Sequence, residues 1–300
     1  MTDRNRILII GKNGQVGWEL CRTLAPLGSV VAIDTPEIEL TTADSVRKCV
    51  RDLAPSVIVN AAAYTAVDKA EVEPQRCLEI NGAAPGLIAE EAKRLEAWLV
   101  HYSTDYVFDG TKRSPYVETD APNPLNAYGR AKLAGEQAVA AQAGHYLLLR
   151  LCWVYGARGQ NFLLTIRRLA RERETLRVVR DQIGCPTWAR MVAEATSLAL
   201  ARVLASADPG QFSGLYHLAA SGETSWHAFA QAIVGLMPPD GKKCNTVQAI
   251  TTAQYPTAAP RPAYSVLGCD KLRRVFGLTL PPWEDGLKMV GDELAAVQRT

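Results

Sequence analysis

Short apolar runs alternate with longer amphipathic stretches in the first half of the chain. The apolar runs lie at 7–10, 30–33, 57–59, 98–102 and 147–151. The stretches with helical periodicity lie at 14–24, 45–53, 84–96 and 127–141. Continuous apolar runs of this length, separated by helices, are typical of a parallel sheet that is covered on both faces. With right-handed crossovers, the pattern predicts a doubly wound α/β sheet.

The pattern becomes less regular after about residue 156. Helical periodicity continues at 161–174, 190–204 and 225–237. Residues 214–218 predict a strand that could return to the main sheet. We therefore predict a sheet domain over 1–155, with a return segment near 211–220, and a smaller mixed domain over 156–300 that binds the substrate.

A glycine-rich turn directly follows the first predicted strand. Gly11, Gly14 and Gly17 stand at spacings that allow a tight turn and close approach of a pyrophosphate to a helix N-terminus. Glycine spacing alone is weak evidence, and an incidental glycine-rich turn is the alternative. The position between a buried strand and an amphipathic helix favours a dinucleotide. The sheet is therefore predicted to be of the Rossmann type, with residues 1–155 binding NADPH or NADH.

Asp34 ends the second predicted strand, twenty residues after Gly14. A carboxylate at this place suits the adenosine ribose hydroxyls of NADH and repels the 2′-phosphate of NADPH, unless a nearby cation offsets it. Lys12 is such a cation. The alternative for Asp34 is an ordinary residue of the turn that follows a strand. These residues leave the choice between the two cofactors open.

Tyr128 and Lys132 stand four residues apart in a predicted helix and therefore share one face. A phenol with a pKa of about 10 is a poor acid–base catalyst at neutral pH, and a neighbouring ammonium, together with the positive nicotinamide ring, lowers that pKa. Tyr128 could then protonate a carbonyl oxygen as hydride arrives at the carbon. The fourth strand ends at Thr104, whose hydroxyl could hydrogen-bond the same oxygen. On a helix alone, the pair could equally be an aromatic stem packed beside a solvated lysine.

Composition and charge argue against several other classes of protein. The net charge is +2 over 300 residues and the basic residues are scattered, so neither nucleic acid nor an anionic membrane is an expected partner. The seven cysteines include no CxxC pair, which indicates neither a disulfide framework nor a zinc site. No apolar stretch approaches the ~20 residues of a membrane span or forms a signal-peptide core. We expect a cytoplasmic protein with reduced thiols.

Longer strings of residues narrow the prediction. They are NAAAYTAVDKAE at 60–71, HYSTDYVF at 101–108, LCWVYG at 151–156, DQIGCPT at 181–187 and RPAYSVL at 261–267. Together with Tyr128 and Lys132, they resemble the extended short-chain dehydrogenase/reductase superfamily and, within it, the family of dTDP-4-dehydrorhamnose reductases. The resemblance runs from about residue 7 to residue 293.

The resemblance implies reduction of the C4 ketone of dTDP-4-dehydro-L-rhamnose to dTDP-L-rhamnose by NADPH or NADH, in a pathway that serves lipopolysaccharide O-antigen synthesis. It implies Tyr128 as proton donor, Lys132 as its partner and Thr104 as the hydroxyl that polarises the carbonyl. The cofactor-binding positions, with the glycine turn included, are then Gly11, Gly14, Gln15, Val16, Gly17, Asp34, Glu39, Leu40, Ala63, Tyr64, Thr65, Tyr102, Tyr128 and Lys132.

Four residues are predicted to contact the dTDP-sugar. The resemblance assigns Thr104, Asp105 and Trp153 to the sugar, and the aromatic face of Trp153 can pack against the apolar side of a deoxysugar. Arg261 is a candidate for the diphosphate, because a guanidinium fork suits paired phosphate oxygens. The alternative for Arg261 is a surface arginine in a proline-rich loop.

The chain departs from the family at a metal site. Some members are described as dimers that bind Mg²⁺ through acidic side chains. Glu19 and Glu293 match two of those positions, whereas Arg190 replaces the third. A cation among ligands for Mg²⁺, which prefers oxygen, argues against the metal. We expect no metal site, and either a monomer or a homodimer.

Other functions remain as alternatives. Nucleotide-sugar dehydratases of the superfamily place Asp-Glu after the catalytic threonine, whereas Thr104 is followed here by Asp105 and Tyr106. Tyr106 cannot replace that carboxylate as a base, so dehydration is disfavoured. The remaining alternatives are another nucleotide-sugar reductase, an epimerase, and a non-catalytic NAD(P)-binding regulatory subunit. The intact set of Thr104, Tyr128 and Lys132 speaks against the regulatory subunit.

Overall fold

The computed structural model describes residues 5–297 of the chain. Its strands are β1 (Arg6–Ile10), β2 (Ser29–Ile33), β3 (Val57–Asn60), β4 (Trp98–Thr104), β5 (His145–Leu151), β6 (Val154–Tyr155), β7 (Thr175–Val179), β8 (Ile183–Gly184), β9 (Thr187–Trp188), β10 (Gly214–His217), β11 (Thr224–Ser225) and β12 (Thr246–Ile250). Its α-helices are α1 (Gln15–Thr23), α2 (Ala43–Leu53), α3 (Val67–Ala70), α4 (Pro74–Leu78), α5 (Ala84–Arg94), α6 (Ala127–Gln142), α7 (Phe162–Glu172), α8 (Ala189–Leu204), α9 (Trp226–Gly235), α10 (Asp270–Phe276) and α11 (Trp283–Val297).

Six strands form one parallel sheet in the order β2-β1-β3-β4-β5-β10. The chain moves from β1 to β2 on one side and then continues from β3 on the other side. This reversal is the switch point at which a doubly wound sheet opens a crevice for a ligand. The arrangement confirms the predicted fold class. β10 lies at the sheet edge beside β5, as the pattern at 214–218 predicts.

Alternate residues of each strand pack into separate cores on the two faces of the sheet. Ile7 and Ile9 of β1 belong to a cluster that includes residues of α1 and α8. Leu8 and Ile10 belong to the opposite cluster, with residues of α2 and α5. All four side chains are fully buried, and each such burial stabilises the fold by about 1.5–3 kcal/mol. A strand with both faces buried is apolar at every position, which explains the continuous runs.

The C-terminal part has an apolar cluster of its own. Residues of α7, α9 and α11 form it, with Phe229, Ile233 and Trp283 among the buried side chains. Beside it, β7 and β12 form a two-stranded parallel sheet that the sequence pattern did not indicate. The chain returns twice to the main sheet after residue 156. Helix α8 packs with α1 in the core on one face of the sheet, and β10 pairs with β5 at the sheet edge. Within residues 5–297, no helix combines the length and the apolar character that a membrane crossing requires.

Candidate active site

A cavity of about 750 Å³ opens where the parallel strands end. Ligands of doubly wound sheets bind at this edge. The cavity is lined by the glycine turn, by the ends of the central strands, by the start of α6, and by segments that follow β5. The predicted site residues that line it are Gly11, Gly14, Gln15, Val16, Asp34, Glu39, Leu40, Ala63, Thr65, Tyr102, Thr104, Asp105, Tyr128, Lys132 and Trp153.

The glycine turn leaves the N-terminus of α1 open to this cavity. Gly14 is the N-cap, with an extended backbone (φ −70°, ψ 165°), and no side chain caps the helix. The first N–H groups of α1 and the positive end of its dipole are therefore available to an anion. Gly11 has a φ of +95°, and a Cβ there would lie 2.5 Å from the backbone nitrogen of Ala62. Conformation and space both require glycine at this position.

Gly17 has a structural place in the turn and does not line the cavity. A Cβ at Gly17 would lie 2.0 Å from the carbonyl oxygen of Gly11. The missing side chain therefore allows α1 to pack directly against the turn. The prediction that the glycine spacing permits a tight strand-to-helix connection agrees with this contact.

The part of the cavity near Asp34 and Glu39 is acidic. Asp34 is held there by the backbone, because its Oδ2 accepts from Asn13 N–H at 3.0 Å and its Oδ1 from Thr35 N–H at 2.9 Å. Lys12 Nζ lies 2.7 and 2.6 Å from the two carboxylate oxygens of Glu37. The hydrogen bond from Lys12 holds the pKa of Glu37 below its usual value. Lys12, the cation that we considered as a partner for a 2′-phosphate, is therefore already paired with Glu37.

A buried hydroxyl marks the middle of the cavity. Ser103, the penultimate residue of β4, lines it. Among residues 5–297, no hydrogen-bond partner reaches its buried Oγ. A buried polar atom without a partner is costly, so this position fits a polar group of a bound molecule. With the open helix N-terminus, it makes the cavity suitable for a nicotinamide dinucleotide.

α6 begins at the cavity and carries Tyr128 in its first turn. Asn126 caps the helix, since its Oδ1 accepts from Gly129 N–H at 2.7 Å. Its side-chain amide also donates to the carbonyl oxygen of Pro260 at 2.9 Å. A Cβ at Gly129 would lie 2.2 Å from the carbonyl oxygen of Tyr106. Glycine at this position therefore lets the helix approach the end of β4.

This approach brings together the three predicted catalytic residues. Thr104 lies close enough to Tyr128 for its hydroxyl to lower the pKa of the phenol. Thr104 Oγ1 also donates to Asp105 Oδ1 at 3.1 Å and accepts from Tyr106 N–H at 3.2 Å. Lys132 is buried, and its Nζ donates to the carbonyl oxygen of Tyr102 at 2.5 Å.

Burial shifts the pKa values of both Lys132 and Tyr128. Burial lowers the pKa of Lys132 to about 8. Burial also raises the pKa of Tyr128, and the nearby Thr104 hydroxyl opposes that shift. Lys132 Nζ donates to the carbonyl oxygen of Tyr102. Desolvation of the phenol is the larger effect.

Asp105 lies directly beside the catalytic hydroxyls and is buried. Its Oδ1 accepts from Thr104, and its Oδ2 accepts from Cys152 Sγ at 3.3 Å. Burial raises the pKa of the Asp105 carboxyl to about 6. The carboxylate therefore competes with a substrate for the single hydroxyl proton of Thr104.

Two tryptophans form one wall of the cavity. Trp153, with a φ of +43°, stacks on Trp226 with 3.5 Å between ring centroids and 6° between ring planes. A Cβ at Gly184 would lie 2.4 Å from the Trp153 indole, so this residue must be small. The predicted aromatic surface for a deoxysugar is therefore a pair of indoles.

Tyr64 and Arg261 do not line the cavity. The Tyr64 hydroxyl donates to Glu73 Oε2 at 2.9 Å, and its backbone N–H donates to Asn81 Oδ1 at 2.9 Å. Arg261 forms a bidentate pair with Asp68 of α3, at 2.7 and 3.1 Å. The predicted contact of Arg261 with a diphosphate would require this pair to open.

Several lining residues escaped the sequence analysis. Apart from Asn13 in the glycine turn and Ser103 in β4, they belong to loops and helices whose approach to the cavity depends on tertiary packing. Tyr106 follows Thr104 by two residues. This short distance along the chain from a predicted catalytic residue is the signal that could have identified Tyr106 as a lining residue. The missed lining residues include Asn13, Thr35, Val67, Arg76, Ile80, Ser103, Tyr106, Gly159, Gln160 and Trp226.

Glu19, Arg190 and Glu293 meet where α1, α8 and α11 pack together. Arg190 Nε lies 3.2 Å from Glu19 Oε2, and Nη2 lies 2.8 Å from Glu293 Oε1. The guanidinium thus occupies the space between the two carboxylates, where Mg²⁺ would need oxygen ligands. Within residues 5–297, no group of three or more His, Cys, Asp or Glu residues is arranged to hold a metal. These residues do not fit Mg²⁺.

Comparison with known proteins agrees with the geometry. Residues 5–296 match the model of the family described as RmlD substrate binding domain. A dTDP-4-dehydrorhamnose reductase of Burkholderia thailandensis is 49% identical over 286 residues, which cover 93% of this chain and 95% of that protein.

Solved structures give the same result. A dTDP-4-dehydrorhamnose reductase of Clostridium acetobutylicum superimposes with a TM-score of 0.88 at 36% identity, covering 97% of this chain and 99% of that chain. The enzyme of the same name from Bacillus anthracis, solved in complex with NADP, has a TM-score of 0.87 at 35% identity, with the same coverage of 97% and 99%. The chain belongs to the dTDP-4-dehydrorhamnose reductase family.

Proposed function

We propose that this chain reduces the C4 ketone of dTDP-4-dehydro-L-rhamnose to dTDP-L-rhamnose with NADPH or NADH. The observation that carries the proposal is the meeting of Tyr128, Thr104 and Lys132 in a cavity whose other end is an open helix N-terminus. A proton donor and an anion site in one cavity are what the reduction of a nucleotide sugar by a dinucleotide requires.

Reduced nicotinamide supplies the hydride when the cofactor is bound. The N–H groups at the start of α1 hold the pyrophosphate, and Asp34 accepts from the adenosine ribose. We assign Lys132 and Tyr102 to the nicotinamide half, since both line the cavity and Lys132 Nζ donates to the Tyr102 carbonyl oxygen. The remaining residues that we assign to the cofactor are Gly11, Gly14, Gln15, Val16, Gly17, Glu39, Leu40, Ala63, Tyr64, Thr65 and Tyr128.

Tyr128 donates its phenolic proton to the ketone oxygen as the carbon accepts hydride. Burial keeps this phenol protonated, as an acid catalyst requires, since its pKa is raised. Thr104 has one hydroxyl proton, which it donates to Asp105 in this structure. On substrate binding, that proton turns from Asp105 to the ketone oxygen and stabilises the developing charge. Lys132 supports the phenolate that remains.

The sugar occupies the end of the cavity that Thr104, Asp105 and the two indoles surround. The paired rings of Trp153 and Trp226 offer an apolar surface to the deoxysugar. Asp105 is close enough to the catalytic hydroxyls to accept from a sugar hydroxyl. Arg261 would reach a diphosphate only after release from Asp68.

We propose that both cofactors are used and that NADH is favoured. Asp34 accepts from ribose hydroxyls and repels a 2′-phosphate. Lys12 is neutralised by Glu37, whereas Arg76 lines the cavity and is free of any ion pair within residues 5–297. Steady-state rates with each cofactor on one preparation of substrate measure the preference. A higher kcat/KM for NADPH would contradict it.

We also propose that the fold needs no Mg²⁺, because Arg190 supplies the positive charge between Glu19 and Glu293. The melting temperature of the purified protein should be the same in EDTA as in Mg²⁺. A stoichiometric Mg²⁺ that EDTA removes, with a fall in the melting temperature, would contradict this. Size-exclusion chromatography in the same two buffers distinguishes a monomer from a homodimer.

The function itself is tested with the 4-keto sugar nucleotide and reduced cofactor. We expect the absorbance of NADPH or NADH to fall in proportion to the dTDP-L-rhamnose formed. Tight cofactor binding without oxidation would favour a regulatory subunit. Loss of water from a dTDP-hexose without net oxidation of the cofactor would favour a dehydratase.

A further inference from the structure

Tyr106 is a second phenol in the cavity, and the mechanism above does not use it. It contacts both Thr104 and Tyr128 in the structure. Its backbone N–H donates to Thr104 Oγ1 at 3.2 Å. Its ring meets the ring of Tyr128 edge to face, with 6.1 Å between centroids and 82° between planes. The half-buried Tyr106 side chain lines the cavity itself.

An ion pair between Arg261 and Asp68 lies beside Tyr106. Asp68 of α3 holds Arg261 through both carboxylate oxygens, at 2.7 and 3.1 Å, and also accepts from Ala259 N–H at 3.0 Å. The Ala259 carbonyl oxygen accepts from Arg261 Nη1 at 2.9 Å. Asn126, the cap of α6, fixes the next residue by donating to the Pro260 carbonyl oxygen. The loop that carries Arg261 is therefore tied to the start of the catalytic helix and to α3.

The direction of the Tyr106 proton follows from its neighbour. Arg261 lies beside the Tyr106 phenol, since the guanidinium and the phenol each influence the pKa of the other group. A guanidinium has donors only, so the phenol oxygen must be the acceptor in this contact. The phenolic O–H is then free to donate elsewhere, and among residues 5–297 the structure offers it no acceptor. Since Tyr106 lines the cavity, a ligand is the remaining acceptor.

We propose that Tyr106 is a substrate-binding residue that donates a hydrogen bond to a hydroxyl oxygen of the sugar ring, with Arg261 and Asp68 as its positioning residues. The inference rests on the proposed function and adds to it. The acceptor belongs to the sugar ring because Tyr106 packs against the proton donor itself, and a single pyranose ring spans both phenols. Burial raises the pKa of Tyr106, so the phenol is a stable donor and does not serve as a base.

The principal test is Tyr106→Phe, which removes the hydroxyl and retains the ring. We expect kcat/KM for the 4-keto sugar nucleotide to fall by about tenfold, as for the loss of one hydrogen bond to substrate. The dissociation constants of NADPH and of free dTDP should stay within about twofold of wild type. Tyr264→Phe is the matched control, because its hydroxyl donates to Glu223 Oε2 at 2.7 Å outside the cavity. Wild-type kcat/KM in Tyr106→Phe would overturn the proposal.

The positioning roles are tested by coupling. Arg261→Lys and Asp68→Asn should each lower kcat/KM without weakening dTDP, and Tyr106→Phe combined with Arg261→Lys should be no worse than the more damaging single variant. Additive losses would show that Arg261 acts independently of Tyr106. Weakened dTDP binding in Arg261→Lys alone would assign the guanidinium to the diphosphate and overturn its positioning role. If the wild-type protein itself fails to oxidise the cofactor, the proposed function fails instead.

Discussion

The two ends of the cavity are built in different ways. The cofactor end is built around the backbone of one short segment, in which the turn at Gly11 and Gly14 exposes the N-terminus of α1, and side chains such as Asp34 surround it. The sugar end consists of side chains from distant segments, such as Thr104, Tyr128 and Trp226. Backbone groups keep their positions after most substitutions. A group of catalytic side chains, in contrast, can lose its activity when a single atom is removed. Substitutions at the two ends should therefore separate binding from chemistry.

The largest separation is expected from Tyr128→Phe, at the sugar end. The variant lacks the proton donor, so we expect kcat to fall by about 10²–10⁴-fold. The dissociation constant of NADPH, followed by fluorescence titration, should change by less than about twofold, because only the hydroxyl is removed. Turnover near the wild-type rate would refute the assignment of Tyr128. A parallel loss of NADPH affinity would show that the two ends are not independent.

Gly129 and Gly17 allow the two ends of the cavity to be compared, because an added Cβ would meet a backbone carbonyl oxygen at a similar distance at both positions. A Cβ would lie 2.2 Å from a backbone carbonyl oxygen at Gly129 and 2.0 Å from one at Gly17. Each change to alanine should destabilise the fold by about 1–3 kcal/mol through overpacking. We expect Gly129→Ala to lower kcat by at least about tenfold with NADPH affinity retained, because it displaces Tyr128 from Thr104.

The companion change, Gly17→Ala, should instead weaken NADPH and leave kcat at saturating cofactor close to wild type. Gly235→Ala in α9 is the control, since nothing lies within 4 Å of the added Cβ. Thermal melts separate loss of stability from loss of function. Equal effects of Gly17→Ala and Gly129→Ala on kcat and on affinity would contradict the division between the two ends.

The pH dependence of kcat/KM tests the protonation of the sugar end. Lys132 has a folded-state pKa of about 8, so it carries its proton below that pH and loses it above. We expect kcat/KM to be level between about pH 6, where Asp105 titrates, and pH 8, and to fall by about tenfold per pH unit above pH 8. Lys132→Arg should move this limb upward, because an arginine keeps its proton. A profile that is level through pH 10 in the wild type would contradict a requirement for the charged lysine.

Burial also gives Lys132 a predicted effect on stability. Its folded-state pKa lies below the ordinary lysine value, so the unfolded chain binds more protons between pH 8 and the unfolded pKa. The free energy of unfolding attributable to this group should therefore rise with pH across that window. Urea denaturation of the wild type and of Lys132→Met at several pH values measures the difference.

The contrast between the two ends also explains what could be predicted from the sequence. The apolar runs, the glycine turn and the i, i+4 spacing of Tyr128 and Lys132 are local patterns, and the structure agrees with them. The pairing of Lys12 with Glu37 and of Arg261 with Asp68 depends on tertiary approach. The same is true of the contact between Trp153 and Trp226, because Trp226 belongs to α9 and lies far from Trp153 along the chain. The spacing of residues along the chain carries no information about such tertiary contacts.

The smallest expected effect concerns cofactor choice at the backbone-built end. Glu37→Gln removes a negative charge near Asp34 and frees Lys12 for a 2′-phosphate. Lys12 and Glu37 are both partly exposed, so solvent screens the pair and the change should be modest. We expect the ratio of kcat/KM for NADPH to that for NADH to rise by about threefold, and Lys12→Met in the same variant to cancel the gain. An unchanged ratio would mean that the carboxylate of Asp34 alone sets the cofactor preference and that the carboxylate of Glu37 does not contribute to it.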